Sequence, residues 1–158
     1  MSTKKTTTET YVLSELTALD PVTVYVTNYA PGAGKVVIEC YSESWAHYWG
    51  GMGGGTLQQF FVTCDNAYIL NKLLKKTEQT DFDEINNIAS KKGIQLSVTS
   101  DIEIAMSLNE MDACFGPDWQ MDLPTCSTPE YEYLGRIVDA IKAAFNEEHR
   151  PLPGDPES

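Results

Sequence analysis

Basic side chains are scarce. The 158-residue chain sets 11 Lys and Arg against 23 Asp and Glu, a formal net charge of −12. Residues 1–35 are neutral, 36–80 sum to −1, 81–127 to −7 and 128–158 to −4. The acidity therefore belongs to the C-terminal half. A phosphate backbone is repelled there, which disfavours direct nucleic-acid binding, whereas a basic protein surface is attracted. Acidity of this kind also serves plain solubility. Long apolar runs are lacking too: none approaches the ~18 residues of a membrane span. The opening MSTKKTTTET is polar and has no apolar h-region, so no secretory signal is expected and the location read is cytoplasmic. Cys40, Cys64, Cys114 and Cys126 form no CxxC pair, and there are two histidines. Zinc-ligand spacing is missing, and the cysteines read as small buried hydrophobes in a reducing compartment. The acids between 81 and 122 fall in no EF-hand or ExxH frame. No metal or cofactor is expected.

What is present begins with two alternating runs. Val22, Val24 and Val26 share one face and Thr23, Tyr25, Thr27 and Tyr29 the other; 36–44 repeats the pattern, with Val36, Ile38 and Cys40 against Val37, Glu39, Tyr41 and Glu43. Pro31-Gly32-Ala33-Gly34 between them predicts a β-hairpin with one apolar face. Residues 11–19 fit a short helix or a strand equally. Thr56 with Gln59 predicts a capped helix over 57–64, and Asp65 opens a second over 66–76, unless the two run as one. Phe82, Ile85, Ile88 and Ala89 predict a helix over 81–92 with Gly93 as its C-cap. Residues 94–99 alternate and predict a third strand. Ser100 with Glu103 caps a further helix that puts Ile102, Ala105, Leu108 and Met111 on one face. Residues 114–126 read as a turn-rich loop. Ser127 with Glu130, and Pro129 in the first turn, open a last helix with Leu134, Ile137, Val138, Ile141 and Phe145 inward. The sum is an α+β fold: an N-terminal antiparallel hairpin, or a three-stranded sheet, packed against about four helices. The expected organisation is a frayed stretch over 1–10, a single domain over 11–148 and a disordered tail over 149–158.

Three features carry candidate chemistry. Gly32-Ala33-Gly34-Lys35 is not a phosphate loop, because Tyr29 replaces its first glycine, Val36 replaces its Ser/Thr, and it joins two strands. The run 50–55 holds five glycines; Gly50, Gly51, Gly53 and Gly54 form a loop ahead of a helix, where amides would meet an anion, although glycine loops serve more often as hinges. Trp45, His47, Tyr48 and Trp49, joined by Tyr25 and Tyr41 of the hairpin, form the best candidate interaction surface, since Trp and Tyr dominate interface hot spots. Against this stand two structural readings: core residues under a helix, or a plug against the glycine loop. A Cys/His pair of His47 with Cys40 or Cys64 would be needed for nucleophilic chemistry, and no spacing singles it out. No catalytic residue is assigned. Asp81, Asp83, Glu84, Asp101, Glu103, Glu110 and Asp112 form the candidate acidic surface, read either as solvated helix faces or as a mimic of duplex phosphate spacing.

Residues 22–74, through VTVYVTNYAPGAGKVVIECYSESW, YWGGMGGG and LQQFFVTCDNAYIL, resemble small accessory proteins of enterobacterial tailed phages and prophages. The resemblance implies a phage gene product acting in a bacterial cytosol and transfers no catalytic residue. It implies a binding protein more than an enzyme, one that inhibits or redirects a host protein such as a defence complex. The acidity, read beside it, points to a basic surface on that protein, such as that of a nucleic-acid-handling complex, with DNA mimicry as one route. The alternatives are a small enzyme of nucleotide or nucleic-acid metabolism and a single-strand binder through the hairpin aromatics. Self-association is left open.

Overall fold

The computed structural model describes residues 1–148; the tail expected over 149–158 lies outside them. The described chain is α+β and forms two compact units.

The first unit comprises Met1–Thr77 and the chain from Pro129 onward. Its sheet is an antiparallel meander of β1 (Glu9–Leu13), β2 (Val22–Ala30), β3 (Ala33–Cys40) and β4 (Glu43–Trp49), in that order. The β2–β3 hairpin is as the alternation predicts, with Val24 opposite Ile38 and Val26 opposite Val36. All four are buried, so the valine face is the core face. Two further strands flank the hairpin. Of the ambiguous stretch 11–19, residues 11–13 join Glu9 and Thr10 in β1, because Leu13 and Tyr11 fall opposite Val22 and Val24 and extend the same apolar face, and 14–19 form neither helix nor strand. The run 36–44 is not one strand: the chain reverses at Tyr41-Ser42, pairing Cys40 with Glu43, and the aromatic stretch becomes β4.

Helices cover the core face: α1 (Leu57–Thr63), α2 (Asn66–Leu73) and α6 (Pro129–Glu148). Thr56 and Gln59 make the reciprocal capping box, and α1 ends at Cys64, whose extended backbone separates it from α2. The 20-residue α6 turns Leu134, Ile137, Val138, Ile141 and Phe145 inward, all fully buried. The Phe145 ring meets Phe61 at 5.5 Å and Tyr11 at 5.1 Å, both edge-on. Burying an aromatic or branched side chain of this size contributes roughly 1.5–3 kcal/mol, so this packing dominates the stability of the unit. A polar chain crosses the same core. Asn28 accepts from the Leu57 amide (2.7 Å) and donates to Gln58 (3.0 Å); Gln58, 4% exposed, donates to the Tyr11 hydroxyl (2.9 Å). Tyr11 in turn donates to Glu148 (2.7 Å). Burial first, then Glu148, raises the Tyr11 pKa and keeps the phenol protonated.

The second unit, Glu78–Thr128, contains β5 (Glu78–Thr80) paired with β6 (Thr125–Ser127), and α3 (Phe82–Lys91), α4 (Asp101–Ala105) and α5 (Leu108–Phe115). A 3₁₀ turn spans Trp119–Met121 inside the stretch read as loop. Its core is Ile85, Val98, Ile104, Met111 and Trp119. Three details depart from the sequence reading. The expected strand over 94–99 is irregular backbone, because a side chain takes the place of a partner strand: Asn86 accepts from the Val98 amide (2.8 Å) and donates to the Val98 carbonyl (2.9 Å). The helix after Ser100 breaks at Met106-Ser107, which rotates the buried face to Ile104 and Met111 and leaves Ile102 73% and Leu108 51% exposed. Ser127 pairs with Glu78 in β6 instead of capping α6, which begins at Pro129.

Candidate functional site

The aromatic stretch divides across the sheet. On β4, Trp45 lies opposite Ile38, His47 opposite Val36 and Trp49 opposite Gly34, all on the core face. Trp45 and Trp49 are 7% and 6% exposed. Trp49 packs on Phe60 (ring centroids 5.7 Å) and donates to the Tyr68 hydroxyl (3.2 Å). His47 stands edge-on to Trp49 at 4.6 Å; burial first, then the Lys72 charge, lowers its pKa and favours the neutral ring. Tyr48 points the other way, exposed and 5.8 Å from Tyr29, while Tyr25 lies on that outer face opposite Val37. His47 and Cys40 are separated along the sheet: Cys40 pairs with Glu43, four residues from His47, about 13 Å at the strand rise. Burial raises the Cys64 thiol pKa, against thiolate formation.

The glycine run folds over the β2–β3 turn. Met52 donates to the Gly32 carbonyl (2.9 Å) and Gly32 to the Gly55 carbonyl (3.0 Å). A Cβ on Gly32, whose φ is +83°, would stand 3.0 Å from the Gly54 amide nitrogen, so both backbone conformation and contact require glycine there. Gly50, Gly51, Gly53 and Gly54 are exposed in this loop. The amides at the start of α1 are already bonded: Thr56 to Gln59 (3.1 Å), Leu57 to Asn28 (2.7 Å), Gln59 to Thr56 (3.3 Å). Those donors are not presented to an anion.

A feature the sequence did not signal lies at the opposite end of β3. A cleft of about 450 Å³ is framed by the β1–β2 loop at Asp20, the β3–β4 turn at Tyr41 and the first turns of α6. Trp45 and Cys40 line it from the core side, and Glu43, Glu130 and Tyr133 complete its walls. The Trp45 indole donates to Glu130 (2.9 Å) and the Tyr133 hydroxyl donates to Asp20 (3.0 Å). The contact with Cys40 (3.6 Å), burial and the bond to Asp20 push Tyr133 up to about 12, so it remains a neutral phenol. Among the described residues, the non-glycine ones at positive φ are Glu15, Ala18 and Tyr41, at +58°, +55° and +53°. All belong to the two loops that frame this cleft, and conformations of that kind cost of order 1–3 kcal/mol each. A hollow of about 520 Å³ in the second unit, along 94–97, is larger but lined by Ser90, Ile94, Gln95, Leu96 and Ser97, with no ionisable group.

With the geometry in place, comparison with known proteins adds one fact. The model of a family described as a phage family, Phage_phiTE_072, matches residues 1–147. The chain belongs to this phage family. No curated protein and no solved structure matches it.

The second unit of this phage-family chain holds ten carboxylates and two lysines, a net −8. Asp83, Glu84, Asp101, Glu103, Glu110 and Asp112 are exposed, and Asp81 is half-buried as the N-cap of α3, accepting from the Glu84 amide (3.0 Å). Interspersed with them are exposed apolar side chains: Ile102, Met106 at 80%, Leu108 and Met121 at 88%. Ile102 and Met106 lie one helical turn apart, the Met106 amide donating to the Ile102 carbonyl (3.0 Å). Among the described residues no group of three or more His, Cys, Asp or Glu could hold a metal ion, and no helix is long and apolar enough to cross a membrane.

Proposed function

We propose that this is a phage-encoded binding protein of the bacterial cytosol that docks on a basic surface of a host protein and inhibits or redirects it. A nucleic-acid-handling defence complex is the class of target that fits best, since its basic groove is built to receive phosphates. The observation that carries the reading is the second unit: a net −8 displayed on exposed helices together with unburied Ile102, Met106 and Leu108. Charge steers the encounter, and apolar side chains supply the area that holds it. The arrangement suits a protein whose partner is basic and partly apolar, and it disfavours a nucleic-acid ligand.

The test is affinity capture of the tagged protein from host lysate with mass spectrometry, at low and at moderate salt. One host protein should be recovered in stoichiometric amount, with the yield falling as salt rises. Recovery of no specific protein at either salt would overturn the reading.

A further inference from the structure

The cleft of about 450 Å³ beside the β3–β4 turn is lined by residues of the first unit alone, and its chemistry is specific. Its inner wall is buried, with Cys40 5% and Trp45 7% exposed. Its rim carries Asp20, Glu43 and Glu130, and no Lys, Arg or His lines it. Two of these carboxylates are aimed by neutral donors, the Trp45 indole on Glu130 (2.9 Å) and the Tyr133 hydroxyl on Asp20 (3.0 Å). Such donors fix a carboxylate without cancelling its charge. The nearby base, Arg136, is already placed at one edge of the cleft: its guanidinium lies over the Tyr133 ring (5.3 Å) and donates to the Ala18 carbonyl (3.4 Å).

Oriented carboxylates on a rim that also carries the exposed Tyr41 match a cation carried on an apolar stem. The charge meets the carboxylates while the apolar stem and the face of the cation lie on Tyr41, the exposed aromatic of the lining. A phosphate or nucleotide would be repelled. We infer that this cleft binds an alkylguanidinium or alkylammonium group. The inference deepens the docking proposal, because an Arg or Lys side chain of a basic partner presents that group; a free small amine presents the same chemistry.

The test follows the Trp45 indole N–H resonance in the full-length protein while acetyl-arginine amide, acetyl-lysine amide or agmatine is added. Acetyl-citrulline amide serves as the uncharged control. A saturable shift with the cations and none with citrulline is expected. In D20N/E43Q/E130Q the amide oxygens still accept from Tyr133 and Trp45, so an otherwise unchanged spectrum confirms the fold while the three charges are gone. The apparent affinity should drop about tenfold, the combined effect of three exposed charge pairs. Tighter binding of the acylated amino-acid amides than of agmatine assigns the site to a protein side chain, and the reverse order to a free amine. An absent shift, or an equal one with citrulline, overturns the inference. The docking reading fails separately: partner capture that persists without any cleft binding refutes only the cleft, and cleft binding with no captured protein refutes only the docking.

Discussion

The two units spend their sequence differently. The first buries a cluster of twenty core residues between one face of a four-stranded sheet and three helices, and even its polar core group, Gln58, is hydrogen-bonded on both sides. The second, 51 residues long, has a buried cluster of five with Phe82, Leu96, Phe115 and Leu123 packed against it, while it leaves Ile102, Met106, Leu108 and Met121 in solvent and sets ten carboxylates against two lysines. A unit of that size with so small a core sits close to the limit of independent stability. Apolar side chains that would strengthen it face outward, and like charges that weaken it are concentrated on its helices. The difference is one of packing against display: the first unit buries most of its large apolar side chains, and the second leaves several of its own in solvent among its carboxylates.

The largest effect expected from this contrast comes from Trp119→Ala. Removing the biggest side chain of the small core should cost about 3–5 kcal/mol, comparable to all the stability that unit has. Hydrogen exchange by NMR should then show α3 to α5 unprotected while β2, β3 and α6 keep their protection. Loss of protection in both units would show that the two cores are not separate cooperative blocks.

A smaller effect follows from cutting the polar chain of the first unit. Gln58→Ala leaves the Asn28 amide donor and the Tyr11 hydroxyl without their buried partner, for a loss of roughly 1–3 kcal/mol. Chemical denaturation should report it in the first unit alone, and a change under ~0.5 kcal/mol would mean that the chain contributes no net stability.

The smallest concerns His47. Its folded pKa lies below its unfolded value, so the unfolded state binds the proton more readily, and its contribution to stability is present above pH ~6.5 and lost as pH falls below it. An NMR titration should place its ring below 6.5. A value at or above 6.5 would contradict the half-buried, uncharged role beside Trp49.

These contrasts were unevenly legible in the sequence. Period-two alternation made β2 and β3 readable because one face of each is buried, and the heptad-like spacing of α6 did the same for the last helix. β4 was hidden by its turn: Tyr41-Ser42 carries none of the Gly, Asn or Pro that mark hairpins, and Tyr41 takes φ +53° without one. Residues 94–99 alternate as a strand does, but alternation reports burial of one side, and here the Asn86 side chain fills the hydrogen bonds that a neighbouring strand would. The helical face drawn through Ile102 and Leu108 assumed a continuous period that the break at Met106-Ser107 interrupts. β5 and β6, three residues each, are too short to show any period. The acidic surface was visible as charge density. The cleft was not, because Trp45 meets Glu130 and Asp20 meets Tyr133 across 85 and 113 residues of chain.

The central claim is that the second unit is the docking part, and the most direct measurement compares capture from host lysate by the wild-type protein and by D101N/E103Q/E110Q/D112N. These exposed substitutions remove four charges from α4 and α5 and should leave both cores intact, which hydrogen exchange would verify. The account predicts that the specific host protein recovered by the wild type is lost or reduced about tenfold or more, with a correspondingly weaker salt dependence. Equal recovery of that protein by the folded variant, with the same salt dependence, would contradict it.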